Sequence, residues 1–141
     1  MIMKNVYLTV VVLLIFVMCY NEDEKHKSVK VIDEVVNQYN FGKNENLKYL
    51  MRGYDSKKII KQLNGLFNDC GKINKYELLH VNVSKSCLID DIKFSRSYIL
   101  AILTYKFDFD KCENKVISFW LIRDLYSHDS EKYIVTGVVE K

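Results

Sequence analysis

The sequence predicts an α+β domain. Two or three helices pack on one face of a four-stranded antiparallel sheet, and an N-terminal signal or anchor helix precedes them. Three observations carry this expectation. Residues 98–139 hold three runs rich in β-branched and aromatic residues, separated by two short polar clusters, which is the pattern of an antiparallel meander. Between residues 28 and 71 apolar residues recur at helical spacing. The first twenty residues are an apolar run behind a single early positive charge, Lys4.

That apolar run, residues 6–20, is broken only by Thr9. A bilayer-spanning helix needs about 20 apolar residues and a secretory core segment about 7–15, so the run fits export. Residues 1–19 are therefore expected to be a signal peptide or membrane anchor. The acidic, hydrophilic N-E-D-E-K-H-K that follows reads as a polar tether over residues 20–27, leaving 28–141 as the folded domain. Cys19, at the end of the apolar run, resembles the acylated cysteine of bacterial lipoproteins. Phe16 and Met18 depart from that family's usual Leu and small residue. Lipidation at Cys19, an uncleaved anchor and ordinary cleavage all remain open at this point.

In the helical half, Ser28 reads as an N-cap, with Val29, Ile32, Val35, Val36 and Tyr39 following on one face before Asn40 and Gly42 end the element. A shorter amphipathic piece carries Leu47, Leu50 and Met51. Asp55 or Ser56 then caps a helix with Ile59, Ile60, Leu63, Leu66 and Phe67 on one face, and Gly71 ends it. The run of Lys57, Lys58 and Lys61 opposite that stripe reads as a solvated face.

Residues 75–84 form the first strand, with Leu79, Val81 and Val83 on one face and His80, Tyr76 and Leu78 on the other. Residues 84–96 are a polar connection whose centre, Cys87, Leu88 and Ile89, can prolong the strand. The three strands of the meander follow. This order of elements behind an anchored N-terminus resembles small exported bacterial proteins with the nuclear-transport-factor-2-like, cystatin-like fold, over residues 28–141. The resemblance implies a strongly bent sheet wrapping the helices into a cone. The Q-x-V-x-G loop of cystatin inhibitors is absent.

Enzymes of that superfold place an acid or base with tyrosine partners inside the cone. The candidate pocket residues here are Tyr105, Arg123 and His80, which could hold an anionic or polar ligand. The plainer expectation is that Arg123 reaches solvent at the cone's rim while its stem packs, and that His80 is structural. His26 and His128 fall in the tether and a turn, and Asp108 and Asp110 flank a turn. No metal-ligand spacing, phosphate loop or nucleophile motif is present, and no cofactor is expected.

After the anchor three cysteines remain. If the first strand pairs antiparallel with residues 98–109, its start near Ile73 faces Phe109, and Cys70 falls beside Cys112 in the next turn. A Cys70–Cys112 disulfide is expected. Cys87 belongs to the far end of the sheet and is left out. On the outer sheet face, Ile102, Trp120 and Ile122 form a candidate interface, most simply with a second copy of the chain.

Net charge is +3 and 18 of the 21 basic residues are Lys, in a chain that lacks Pro and is rich in Asn, Ile and Tyr. No basic stripe interleaves with aromatics, so nucleic acid is not an expected partner. The reading is an exported, membrane-tethered binding or envelope-structural module, localised to the cell envelope. The alternatives are a small lyase or isomerase using the cone pocket, or a toxin-immunity or inhibitor protein.

Overall fold

The computed structural model describes residues 2–42, 56–67, 69–90, 94–124 and 132–141. Among these, helices α1 (Ile2–Asn40) and α2 (Ser56–Phe67) precede strands β1 (Ile73–Asp90), β2 (Phe94–Phe109), β3 (Lys115–Asp124) and β4 (Ile134–Glu140). The strands form one antiparallel sheet in the order β1-β2-β3-β4, each paired with its sequence neighbour. The class is α+β, with the helices on one sheet face. The expected amphipathic piece around Leu47, Leu50 and Met51 lies outside the described residues.

The inner face is built by strict alternation. Ile99, Ala101, Leu103, Tyr105, Phe107 and Phe109 of β2 are buried, as are Ile117, Phe119 and Leu121 of β3. Ile32, Val35 and Val36 of α1 and Ile59, Leu63 and Phe67 of α2 close over them. Phe67 joins the two layers, with its ring centroid 5.7 Å from Phe107, 5.4 Å from Phe109 and 4.9 Å from Tyr39.

Three expectations need correction. Ser28 is not an N-cap: it lies buried inside a 39-residue helix, and its hydroxyl donates to the carbonyl of Lys25 at 2.8 Å. Residues 20–27 are accordingly helical, not a tether. Glu and Lys are good helix formers, no Gly or Pro interrupts them, and Lys27 pairs with Asp23 one turn back at 2.9 Å. The third correction concerns the faces of β1, which extends from Ile73 to Asp90 through the prolongation expected at Cys87, Leu88 and Ile89 and pairs with β2 as a hairpin arm. Its register shifts between Leu78, opposite Tyr105, and His80, opposite Thr104. Leu79 is the extra residue of this bulge, which reverses the faces. Tyr76 and Leu78 therefore share the inner face with Val81 and Val83, while Leu79 is half exposed and His80 lies outward.

The C-terminal end of α1 is stitched to the α2–β1 junction. Asn40 donates from Nδ2 to the Ile73 carbonyl at 3.0 Å and accepts the Ile73 N–H at 2.9 Å, completing the start of β1 as a neighbouring strand would. The Tyr39 hydroxyl donates to the carbonyl of Phe67 at 2.7 Å and lies 3.0 Å from that of Gly71, which shares the same proton. Gly71 has φ +72°, and a Cβ there would meet Asp110 and Lys111 side chains at 3.3 Å, so both conformation and space call for glycine.

Ile73 pairs with Phe109, the register expected, and Cys70 and Cys112 form a disulfide with Cα atoms 4.7 Å apart. Cys87 pairs through its backbone with Ser97 at the opposite end of the sheet. Closing a loop of 42 residues should stabilise the fold by about 4 kcal/mol on chain-entropy grounds. Urea unfolding of the Cys70→Ser/Cys112→Ser variant should show a loss approaching that size. Peptide mapping of the oxidised protein should leave Cys87 as a thiol, and a bridge to Cys87 would contradict the observed register.

Candidate functional site

Continuing the core stripe of α1 back by helical turns leads from Ile32 through Ser28 to Glu24. On β3 the inner-face alternation of Ile117, Phe119 and Leu121 continues to Arg123. Tyr133 stands immediately before β4. These three side chains meet inside the domain, with Glu24 only 1% exposed, Tyr133 2% and Arg123 5%.

Their geometry is a closed hydrogen-bonded set. Arg123 grips the Glu24 carboxylate with two parallel bonds. One runs from Nε to Oε2 at 3.1 Å, the other from the second terminal nitrogen to Oε1. The Tyr133 hydroxyl donates to Oε2 at 2.6 Å. Lys27 adds a longer contact of 4.0 Å to Oε1. Burial opposes the charge on Arg123, yet the Glu24 carboxylate and Tyr133 hold its pKa above the ordinary value. Burial and the accepting carboxylate of Glu24 raise the Tyr133 pKa, so its proton stays in place.

A second polar group lies further along α1. The Tyr76 hydroxyl donates to Asp33 Oδ1 at 2.8 Å, and its ring lies 6.0 Å from that of Tyr105. Burial first, and then the bond to Asp33, push the Tyr76 pKa up to about 12. Burial likewise raises Tyr105, whose hydroxyl has no hydrogen-bond partner among the described residues.

The structure does not bring the three sequence-derived pocket residues together. Tyr105 and Arg123 share the inner face, but Tyr105 pairs with Ile117, six residues before Arg123 on β3. That is about 20 Å along the strand. His80 is exposed on the outer face. Arg123 is not at the rim: it is buried and paired with Glu24 inside the domain. Reading residues 20–27 as a tether hid Glu24. The available signals were a lone arginine at an inner strand position and a helix stripe with a carboxylate in phase.

The outer face carries the candidate interface residues. Trp120 is 46% exposed and opposite Ile102, while Ile102 and Ile122 are half-buried. Beside them Thr104 and Ser118 share a buried hydrogen bond of 2.7 Å. The side chain of Cys19, and His128 altogether, lie outside the described residues. Among the described residues no group of three His, Cys, Asp or Glu is placed to hold a metal ion.

Comparison with protein families, with curated proteins and with solved structures finds no match for this chain.

Removing one partner of a buried ion pair strands the other charge. Glu24→Ala should therefore cost about 3–5 kcal/mol in urea unfolding of the full chain in detergent micelles, and Tyr133→Phe about 1–2 kcal/mol. The folded pKa values of Tyr76 and Tyr133 lie above the ordinary value of 10, so their contribution is complete below pH 10 and is lost as pH rises through the folded values. Stability should fall between pH 10 and 12, and less steeply in Tyr76→Phe. An unchanged slope would contradict the assigned environment.

Proposed function

We propose that the chain is an exported, membrane-anchored binding module of the cell envelope, with the cone-like domain that its resemblance implies. The observation that carries this reading is the N-terminal part of α1. Residues Val10, Val11, Val12, Leu13, Leu14 and Ile15 are consecutive and each is at least 42% exposed. Six consecutive residues cover every direction around a helix of 3.6 residues per turn. A surface that is apolar all round is not covered by one domain face, and it matches a lipid environment.

No helix among the described residues is long and apolar enough to cross a membrane. The apolar run of residues 6–20 would reach about 22 Å as a helix, against about 30 Å for a bilayer core. The segment serves in one of two ways: kept, it is a short anchor, and cleaved before Cys19, as in the lipoproteins that Cys19 resembles, it gives way to an acyl chain on that residue. The outer sheet face around Trp120, Ile102 and Ile122 is the surface we assign to a protein partner, most simply a second copy. A lyase or isomerase reading gains no support from the polar groups, since Glu24, Arg123 and Tyr133 are consumed by one another.

Expression of the full chain in a bacterial host followed by fractionation should recover it with the membranes, and Cys19→Ser should change its processing if that residue is acylated. Cross-linking of the membrane fraction should give a dimer that Trp120→Glu removes. Recovery in the cytosol would contradict export, and a monomer in both variants would leave the outer face without the assigned role.

A further inference from the structure

Among the described residues, Tyr105 is the one buried side chain whose polar atom has no hydrogen-bond partner. It is 2% exposed on the inner face of β2. Its ring lies 6.0 Å from that of Tyr76, 5.9 Å from Phe107 and 6.3 Å from Phe119. Of those neighbours only Tyr76 carries a polar atom. A hydroxyl buried alone gives up the bonds it made to solvent in the unfolded chain and receives nothing in return. Folded proteins leave few such groups unsatisfied.

The adjoining polar group has bonding capacity left. The Tyr76 hydroxyl donates to Asp33 Oδ1 at 2.8 Å. A carboxylate can accept up to about four hydrogen bonds, and a phenol oxygen that donates its proton can still accept one. Asp33 and Tyr76 are half-buried, so they stand between the dry core around Tyr105 and solvent. The charge of Asp33 reaches Tyr105. Burial first, then the Asp33 carboxylate and then Tyr76, hold the Tyr105 pKa above its ordinary value, so this hydroxyl keeps its proton and acts as a donor.

One donor facing two acceptors selects what can stand between them. An anion would be repelled by Asp33. A cation would leave the Tyr105 proton without an acceptor. A neutral molecule that both accepts and donates suits all three groups, and water is the smallest. A buried water needs two to four polar partners, and this group offers three.

We propose that a resident water is held between α1 and the inner face of the sheet, accepting from the Tyr105 hydroxyl and donating to the Asp33 carboxylate and the Tyr76 oxygen. The water ties β2 to α1 at the middle of the helix, between the Glu24 contact and the Asn40 clamp. It stands independently of membrane attachment and of the Trp120 face.

The test is oxygen-17 relaxation dispersion of the solvent, which responds to long-lived bound water and not to exchanging hydroxyl protons. It is read on the full chain in detergent micelles, beside urea unfolding. Tyr105→Phe keeps the ring and removes only the hydroxyl. Its dispersion amplitude should fall by the contribution of one water, and its folding equilibrium constant should fall about fivefold. Asp33→Ala should lose the same water, so that adding Tyr105→Phe to it removes no second one. Equal or greater stability of Tyr105→Phe would overturn the proposal, because deleting a hydroxyl that has no partner costs nothing. Retention of the water in Asp33→Ala would overturn it too. A loss of stability in Tyr105→Phe with unchanged dispersion would assign the hydroxyl to a protein partner and overturn it equally.

Discussion

The contact between Glu24 and Arg123 joins residues 99 positions apart and ties the N-terminal helix to the third strand. Each charge is expensive to bury alone, and the pair is tolerable only because the fork of Arg123 and the Tyr133 hydroxyl satisfy the carboxylate together. An apolar pair of equal volume could be as stable, so the ion pair does not explain stability by its mere presence. What it fixes is geometry: Glu24 meets Arg123 only with α1 at one rotation and one position along its axis. The helix cannot slide or turn without stranding a charge.

That constraint gives the domain a direction. From the Glu24 contact with β3, α1 runs past Asp33 and Tyr76 to Asn40, which clamps Ile73 at the start of β1. The Cys70–Cys112 disulfide secures that far end. Residues 10–15 of α1 therefore leave the domain at the Glu24 end, and the membrane proposed for them would hold the sheet in a defined orientation, because the helix that carries them continues into the core.

Much of the fold was legible in the sequence because side-chain periodicity reports directly on burial. The meander, the Ile59–Leu63–Phe67 stripe, the Ile73–Phe109 register and the disulfide all follow from local patterns or from counting residues along paired strands. The β1 bulge was not legible, because one inserted residue leaves β-branched and apolar composition unchanged while inverting the faces on which Leu79 and His80 stand. The Glu24 site was missed for a different reason. A carboxylate in a run of charges looks solvated locally, and only its phase with Ile32 and a distant arginine marks it as interior.

The polar segment after the apolar run is part of the core helix. Hydrogen exchange of the amides of residues 24–32, in the full chain in micelles, tests this most directly. These amides should be protected as well as those of the central strand β3, with exchange requiring opening of the whole domain. Unprotected exchange there, with β3 still slow, would mean that the segment is a tether after all and that Glu24 does not hold Arg123.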